Sequence, residues 1–192
     1  MRNTIMQLIH DLRFTENLTP GLLSSIVSLS RIERYEKRDS WLSRSERNKE
    51  IGLLKIGSAM LYRYEHGKQH VIWLWSKNDF LIEGSLLLAR SHPDDRIVFL
   101  ESTDVILLDI QQLRQLKTYY AQIDQLIGAL ITKRMEQIQS DFYHYKFRLP
   151  HERLKHAKEF KKNPFNRLTV MQKASYLGIS KQSLYNLLYD SK

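Results

Sequence analysis

Between Tyr119 and Phe147, apolar residues fall at Ile123, Leu126, Ile127, Leu130, Ile131, Met135, Ile138, Phe142 and Tyr145. Steps of three and four, kept up over about four heptads, specify one amphipathic helix roughly 40 Å long. Only Gly128 breaks the run of ordinary helix formers, and no proline does. Such a stripe could cover a sheet, but it is too long for a small fold to bury by itself. The region of Ile123, Leu126, Leu130 and Ile138 is therefore expected to form a seam between two copies of the chain.

Upstream of this helix the patterning is different. Thr4 to Leu29 reads as two short helices broken at Thr19-Pro20-Gly21, with Pro20 in the first turn of the second. Ser40 to Arg47 is polar around Trp41 and reads as a strand edge or loop. Short apolar runs then follow: Ile51–Ile56, Ala59–Tyr64, His70–Trp75, Phe80–Ile82, Ile97–Leu100 and Val105–Leu108. Turn chemistry separates them, as at Glu65-His66-Gly67-Lys68 and Ser76-Lys77-Asn78-Asp79. Short strands with such breaks predict a compact antiparallel barrel or roll. Tyr62, Tyr64, Trp73, Trp75 and Phe80 are expected to fill its interior.

The composition narrows the chemistry. The chain has no cysteine, which excludes disulfides, thiolate metal sites and cysteine nucleophiles. His66 and His70 are four apart, but Gly67 between them reads as a turn, so no metal is expected. No nucleophile–base pair, glycine-rich phosphate loop or acid–histidine cluster with catalytic spacing stands out, so no enzyme activity is expected. No apolar run is long enough to span a membrane, and the N-terminus is charged throughout, so the expected location is cytoplasmic.

Charge points to a partner. The net charge is +9, and residues 146–192 alone hold eleven Lys and Arg against three acids. A basic segment on a near-neutral body predicts a polyanion bound at one end. Pro150 ends the long helix, His151 to Lys161 reads as a short helix, and Lys162 to Asn166 as a turn.

Within that basic segment lies Thr169 to Asp190, TVMQKASYLGISKQSLYNLLYD. Thr169 suits an N-cap for a helix through Leu177. Ala174 leaves room for a crossing helix, and Gly178 suits a left-handed turn residue. Ile179 plugs the angle, Ser180 caps a second helix, and Leu184 and Leu187 face inward. This is the steric pattern of a helix-turn-helix. Its second helix would carry Lys181, Gln182, Ser183, Tyr185 and Asn186 into the major groove. Lys181 suits guanine or phosphate, and Gln182 and Asn186 have amide geometry for adenine. Thr169, Lys173, Lys161, Lys162 and Arg167 are placed for phosphates.

In the order of its parts, the chain resembles the Crp/Fnr superfamily of bacterial transcription regulators. The most specific stretches are Ala174-Ser175-Tyr176-Leu177-Gly178-Ile179-Ser180 and the segment from Ile56 to Gly84. The resemblance implies an α+β fold: a cyclic-nucleotide-binding-like antiparallel β-roll, a long dimerisation helix and a C-terminal helix-turn-helix. The implied divisions are residues 1–118, 119–147 and 148–192. It also implies a ligand pocket at Glu83, Gly84, Ser85 and Arg96. In cyclic AMP-binding members a glycine precedes that glutamate and an arginine follows about ten residues later. Here Ile82 and His92-Pro93-Asp94-Asp95 stand in those places, and carboxylates repel a cyclic phosphate. Cyclic AMP is therefore not the expected effector.

Two readings of function follow. In one, a homodimer binds inverted-repeat double-stranded DNA. In the other, a ligand-binding module uses its basic C-terminal segment to contact a protein partner or RNA, which requires neither twofold symmetry nor DNA.

Overall fold

The computed structural model describes residues 2–3, 5–6, 19–41, 50–81 and 94–189. Thr19 caps helix α1 (Pro20–Leu29), its hydroxyl accepting from the Leu22 amide, with Pro20 at the first helical position. Among the described residues, seven antiparallel strands follow: β1 (Ser30–Tyr35), β2 (Glu50–Ile56), β3 (Ala59–Glu65), β4 (Lys68–Trp75), β5 (Phe80–Leu81), β6 (Asp95–Phe99) and β7 (Thr103–Asp109). They form two sheets, ordered β1-β7-β2-β5 and β4-β3-β6. Two helices come next, α2 (Ile110–Gln115) and the long α3 (Gln122–Phe147). The C-terminal part comprises α4 (Pro150–Phe160), α5 (Lys162–Arg167), α6 (Val170–Leu177) and α7 (Lys181–Tyr189).

The uninterrupted apolar runs of β2 and β7 have a direct cause. Successive side chains of a strand point to opposite faces. Leu54, Val105 and Leu107 enter the roll interior with Trp73, Trp75 and Phe99. Ile51, Leu53 and Ile106 pack outward against α1 and α3. Both faces are buried, so both must be apolar. Between β3 and β4, His66 and Gly67 take positive φ of 50° and 72°. That is the two-residue turn whose twist suits a hairpin.

Strand β1, SRIERY, has no counterpart in the sequence pattern: half of its residues are exposed, and among the described residues it is an edge strand, so it lacks an apolar alternation. Three expectations are corrected. Residues 162–166 are not a bare turn but part of α5, where Pro164 and Phe165 are buried in the first turn. Of the five aromatics expected inside the roll, Trp73 and Trp75 are there. Tyr64 is 55% exposed, Tyr62 packs toward the C-terminal helices, and Phe80 packs toward α3.

The third correction concerns the seam. Ile123, Leu126 and Leu130 are buried at 0, 5 and 6% exposure inside their own chain, against α1 and the outer face of the four-stranded sheet. A residue fully covered by its own roll has no surface left for a second copy. The apolar positions that α3 leaves uncovered include Met135 (51%), Ile138 (36%) and Phe142 (61%), with Tyr143 and Phe147 exposed near its end. Among the described residues, no helix is long and apolar enough to cross a membrane.

Candidate nucleic-acid interface

The C-terminal helices are built as their residue types dictate. In α6, Thr169 Oγ1 accepts from the Gln172 amide at 3.3 Å while Gln172 Oε1 accepts from the Thr169 amide at 3.0 Å. This reciprocal box satisfies two donors that a helix start leaves unpaired. The helix ends at Gly178, with φ 64° and ψ 36°. That left-handed residue lets the amide of Ile179 reach back to the Ala174 carbonyl at 3.0 Å. Ser180 Oγ then accepts from the Ser183 amide at 3.0 Å and starts α7.

Beneath this turn lies a shared core. Leu184 is fully buried with Ala174, Tyr176, Leu177, Leu154, Phe165 and Leu168, and Ile179 and Leu187 pack against them. With those side chains inward, the opposite face of α7 is left open. Lys181, Gln182, Ser183 and Asn186 are exposed and Tyr185 is half-buried. Gln182 Nε2 donates to Asn186 Oδ1 at 3.2 Å, one turn along the same face. The Lys181 ammonium lies 5.6 Å from the centre of the Tyr185 ring. A row of one cation, two amides and a phenol thus stands on a single helix face. Thr169 sits at the N-terminus of the preceding helix, and the Lys173 ammonium lies 5.6 Å from the Phe165 ring.

Not every basic residue is left without a partner on the roll. Lys161 Nζ donates to the Leu74 carbonyl of the roll at 3.2 Å, and Arg167 forms an ion pair with Glu101. These two, read from the sequence as phosphate contacts, are engaged with the roll instead. Nothing in their local sequence signals this, because their partners lie more than sixty residues away.

At the other candidate site, Glu83, Gly84 and Ser85 lie outside the described residues. Arg96 is exposed on β6, and its Nη1 donates to the Asp95 carbonyl at 3.0 Å. The Asp95 carboxylate is held by Arg63 at 2.7 and 3.2 Å. It is therefore a structural ion pair rather than a free charge facing a ligand.

Between α3 and α4 only Arg148 and Leu149 are non-helical. Across this joint the rings of His144 and His156 stack at 3.7 Å, and Phe160 continues the column at 4.8 Å from His156. Burial, and secondarily the neighbouring His144, hold the His156 imidazole below its usual range.

No family model matches the chain, and no curated protein is similar to it in sequence. Its fold, however, is shared with solved structures. FixK2 from Bradyrhizobium japonicum superposes with a TM-score of 0.67 at 13% identity, over 84% of this chain and 83% of that one. The c-di-GMP-responsive global regulator CLP of Xanthomonas campestris gives 0.66 at 14%, over 90% and 91%. A chain from Eubacterium rectale, described as a transcriptional regulator of the crp/fnr family, gives 0.68 at 13%, over 91% and 83%. At such identities the likeness establishes the architecture, an N-terminal β-roll, long helix and C-terminal helix-turn-helix.

Proposed function

We propose, from this Crp/Fnr-type fold, that the chain is a homodimeric, sequence-specific DNA-binding regulator of transcription. The observation that carries the reading is the open face of α7, with Lys181, Gln182, Ser183, Tyr185 and Asn186 facing outward above a buried Leu184. Amides that bond each other in free protein can exchange that bond for an adenine edge, and a lysine for guanine or phosphate. Thr169 and Lys173, on the preceding helix, supply backbone-positioning contacts. Residues 148–192 act as the reading head and 119–147 as the dimerisation helix.

The seam consistent with the burial pattern runs along Gly128, Ile131, Met135, Ile138 and Phe142. Their spacing of three and four is that of a two-helix seam. A Cβ at Gly128 would meet nothing within 4 Å, so that surface is open to a partner helix. Two heads held this way would address successive major grooves about 34 Å apart on an inverted repeat. The sequence departures at Ile82 and His92-Pro93, where cyclic AMP-binding members carry glycine and arginine, argue against cyclic AMP as the effector.

The test is selection from a randomised double-stranded DNA pool, comparing the wild type with the triple variant Lys181→Ala/Gln182→Ala/Asn186→Ala. Enrichment of an inverted repeat that the triple variant loses supports the reading. If nothing is enriched, with or without cyclic nucleotides and cell extract, the basic segment instead serves a protein or RNA partner.

A further inference from the structure

The long helix and its two-residue joint invite a picture of the head as an arm swinging on α3. The contacts describe something else. Among the described residues, β4 is an edge strand of the sheet β4-β3-β6, and its outer backbone groups have no partner strand. The side chain of Ser175, on α6, supplies partners for two of them. Its Oγ accepts from the Val71 amide at 2.9 Å and donates to the Gln69 carbonyl at 3.2 Å. Next to it, Gln172 Nε2 donates to Gln69 Oε1 at 3.1 Å.

The docking extends along the strand and beyond it. Lys161 holds the Leu74 carbonyl, while Asn163 Nδ2 donates to Glu101 at 3.3 Å beside the Arg167 ion pair. Between these polar contacts, Met60, Val71, Leu74 and Leu100 of the roll share one buried core with Phe165 and Tyr176 of the head. A second clamp closes the joint itself. Arg153 Nε donates to the Arg148 carbonyl and Nη1 to the Leu177 carbonyl, each at 3.0 Å. One guanidinium thus ties the joint to the turn that precedes the reading helix. Throughout, the outward face of α7 stays free.

We propose that the head is docked on its own roll in the state that reads DNA. On this view Ser175 is a positioning residue: it closes the β4 edge and so fixes the spacing between the two reading helices. The claim rests on the DNA-binding reading above and adds what sets its geometry. A buried amide left without its acceptor is disfavoured strongly enough to shift a docking equilibrium by about tenfold.

Two measurements on the full chain test it. The first uses inverted repeats whose half-sites are moved apart in single base-pair steps. The wild type is expected to prefer one spacing by about tenfold. Ser175→Ala is expected to flatten that preference while leaving affinity for a single half-site unchanged, since Ser175 is not among the reading residues. Glu101→Gln, on the roll and at the far end of the interface, should act in the same direction. The second measurement is independent of DNA. The absence of native cysteine allows spin labels at Tyr119→Cys and Tyr189→Cys, diluted with unlabelled protein so that each labelled pair lies in one chain. One narrow distance in the wild type, broadened by Ser175→Ala, supports docking. A broad distribution in the wild type overturns the proposal, as does a spacing preference that both variants leave intact. A narrow distance in a protein that selects no DNA instead removes the DNA-binding reading, and the spacing claim with it.

Discussion

The guanidinium of Arg134 lies 3.8 Å above the Trp73 ring and 5.6 Å from that of Trp75. It is only 9% exposed, and its Nε and Nη1 have no hydrogen-bond partner among the described residues. Burial lowers its pKa to about 10, opposed by the charges of Asp79 and Asp141. A cation so placed keeps its cation–π attraction but loses its hydration, and the second effect is the larger for a deeply buried charge. Arg134→Met keeps the length of the side chain and removes the charge. We expect it to leave stability unchanged or raise it by up to about 2 kcal/mol, read by urea unfolding. Arg134→Ala, which opens a cavity, should lower stability. A large loss with methionine would show that the charge itself is structural.

At the helix-turn-helix corner, Gly178 holds φ 64°. A side chain there costs about 1–2 kcal/mol in the left-handed region, whatever the space. Space is not the obstacle, since the nearest atom to a Cβ would be Arg153 Nη1 at 3.4 Å. Gly178→Ala should therefore lower the thermal midpoint and weaken DNA binding together, whereas Gly178→Asn should be milder. Equal losses for alanine and asparagine would mean that the backbone conformation is not the cause.

Acid should loosen the joint between α3 and α4. His156 is shifted downward in the folded chain, so the unfolded chain takes up a proton first as pH falls. The stability this neutral ring contributes is present above about pH 6.5 and is lost as pH falls below it. His156→Phe keeps a ring between His144 and Phe160 and cannot titrate. Its urea midpoint should fall less between pH 7.5 and 5.0 than that of the wild type. An identical fall in both proteins would place the acid sensitivity elsewhere.

Along α3, one substitution should act on assembly and another on folding. Ile138→Glu puts a charge on the exposed stripe and is expected to yield a folded monomer by sedimentation. Leu126→Glu puts it in the intrachain core, where Leu126 is 5% exposed, and is expected to prevent folding. A dimer that survives Ile138→Glu would move the seam off this stripe.

Much of this was legible before any coordinates. The cap at Thr169, the turn at Gly178 and the inward Leu184 are local, because each depends on neighbours within about two helical turns, although the reciprocal partner Gln172 was not read. The hairpin at His66-Gly67 is local in the same sense. The edge strand β1 was not legible, since a strand with little buried surface carries no apolar period. Nor was the role of Lys161 and Arg167: a basic residue in a basic segment reads as a phosphate contact until its carbonyl or carboxylate partner is seen.

The sequence by itself determined the order of elements and the corner that presents α7, because those follow from period, caps and turn residues along one stretch of chain. Tertiary structure alone decided how the stripe on α3 is divided. Ile123, Leu126 and Leu130 go to the chain's own sheet, and Met135, Ile138 and Phe142 stay uncovered. It also decided that Ser175 closes the β4 edge. Periodicity states that a face must be buried, but the surface that buries it comes from elements far away in the sequence.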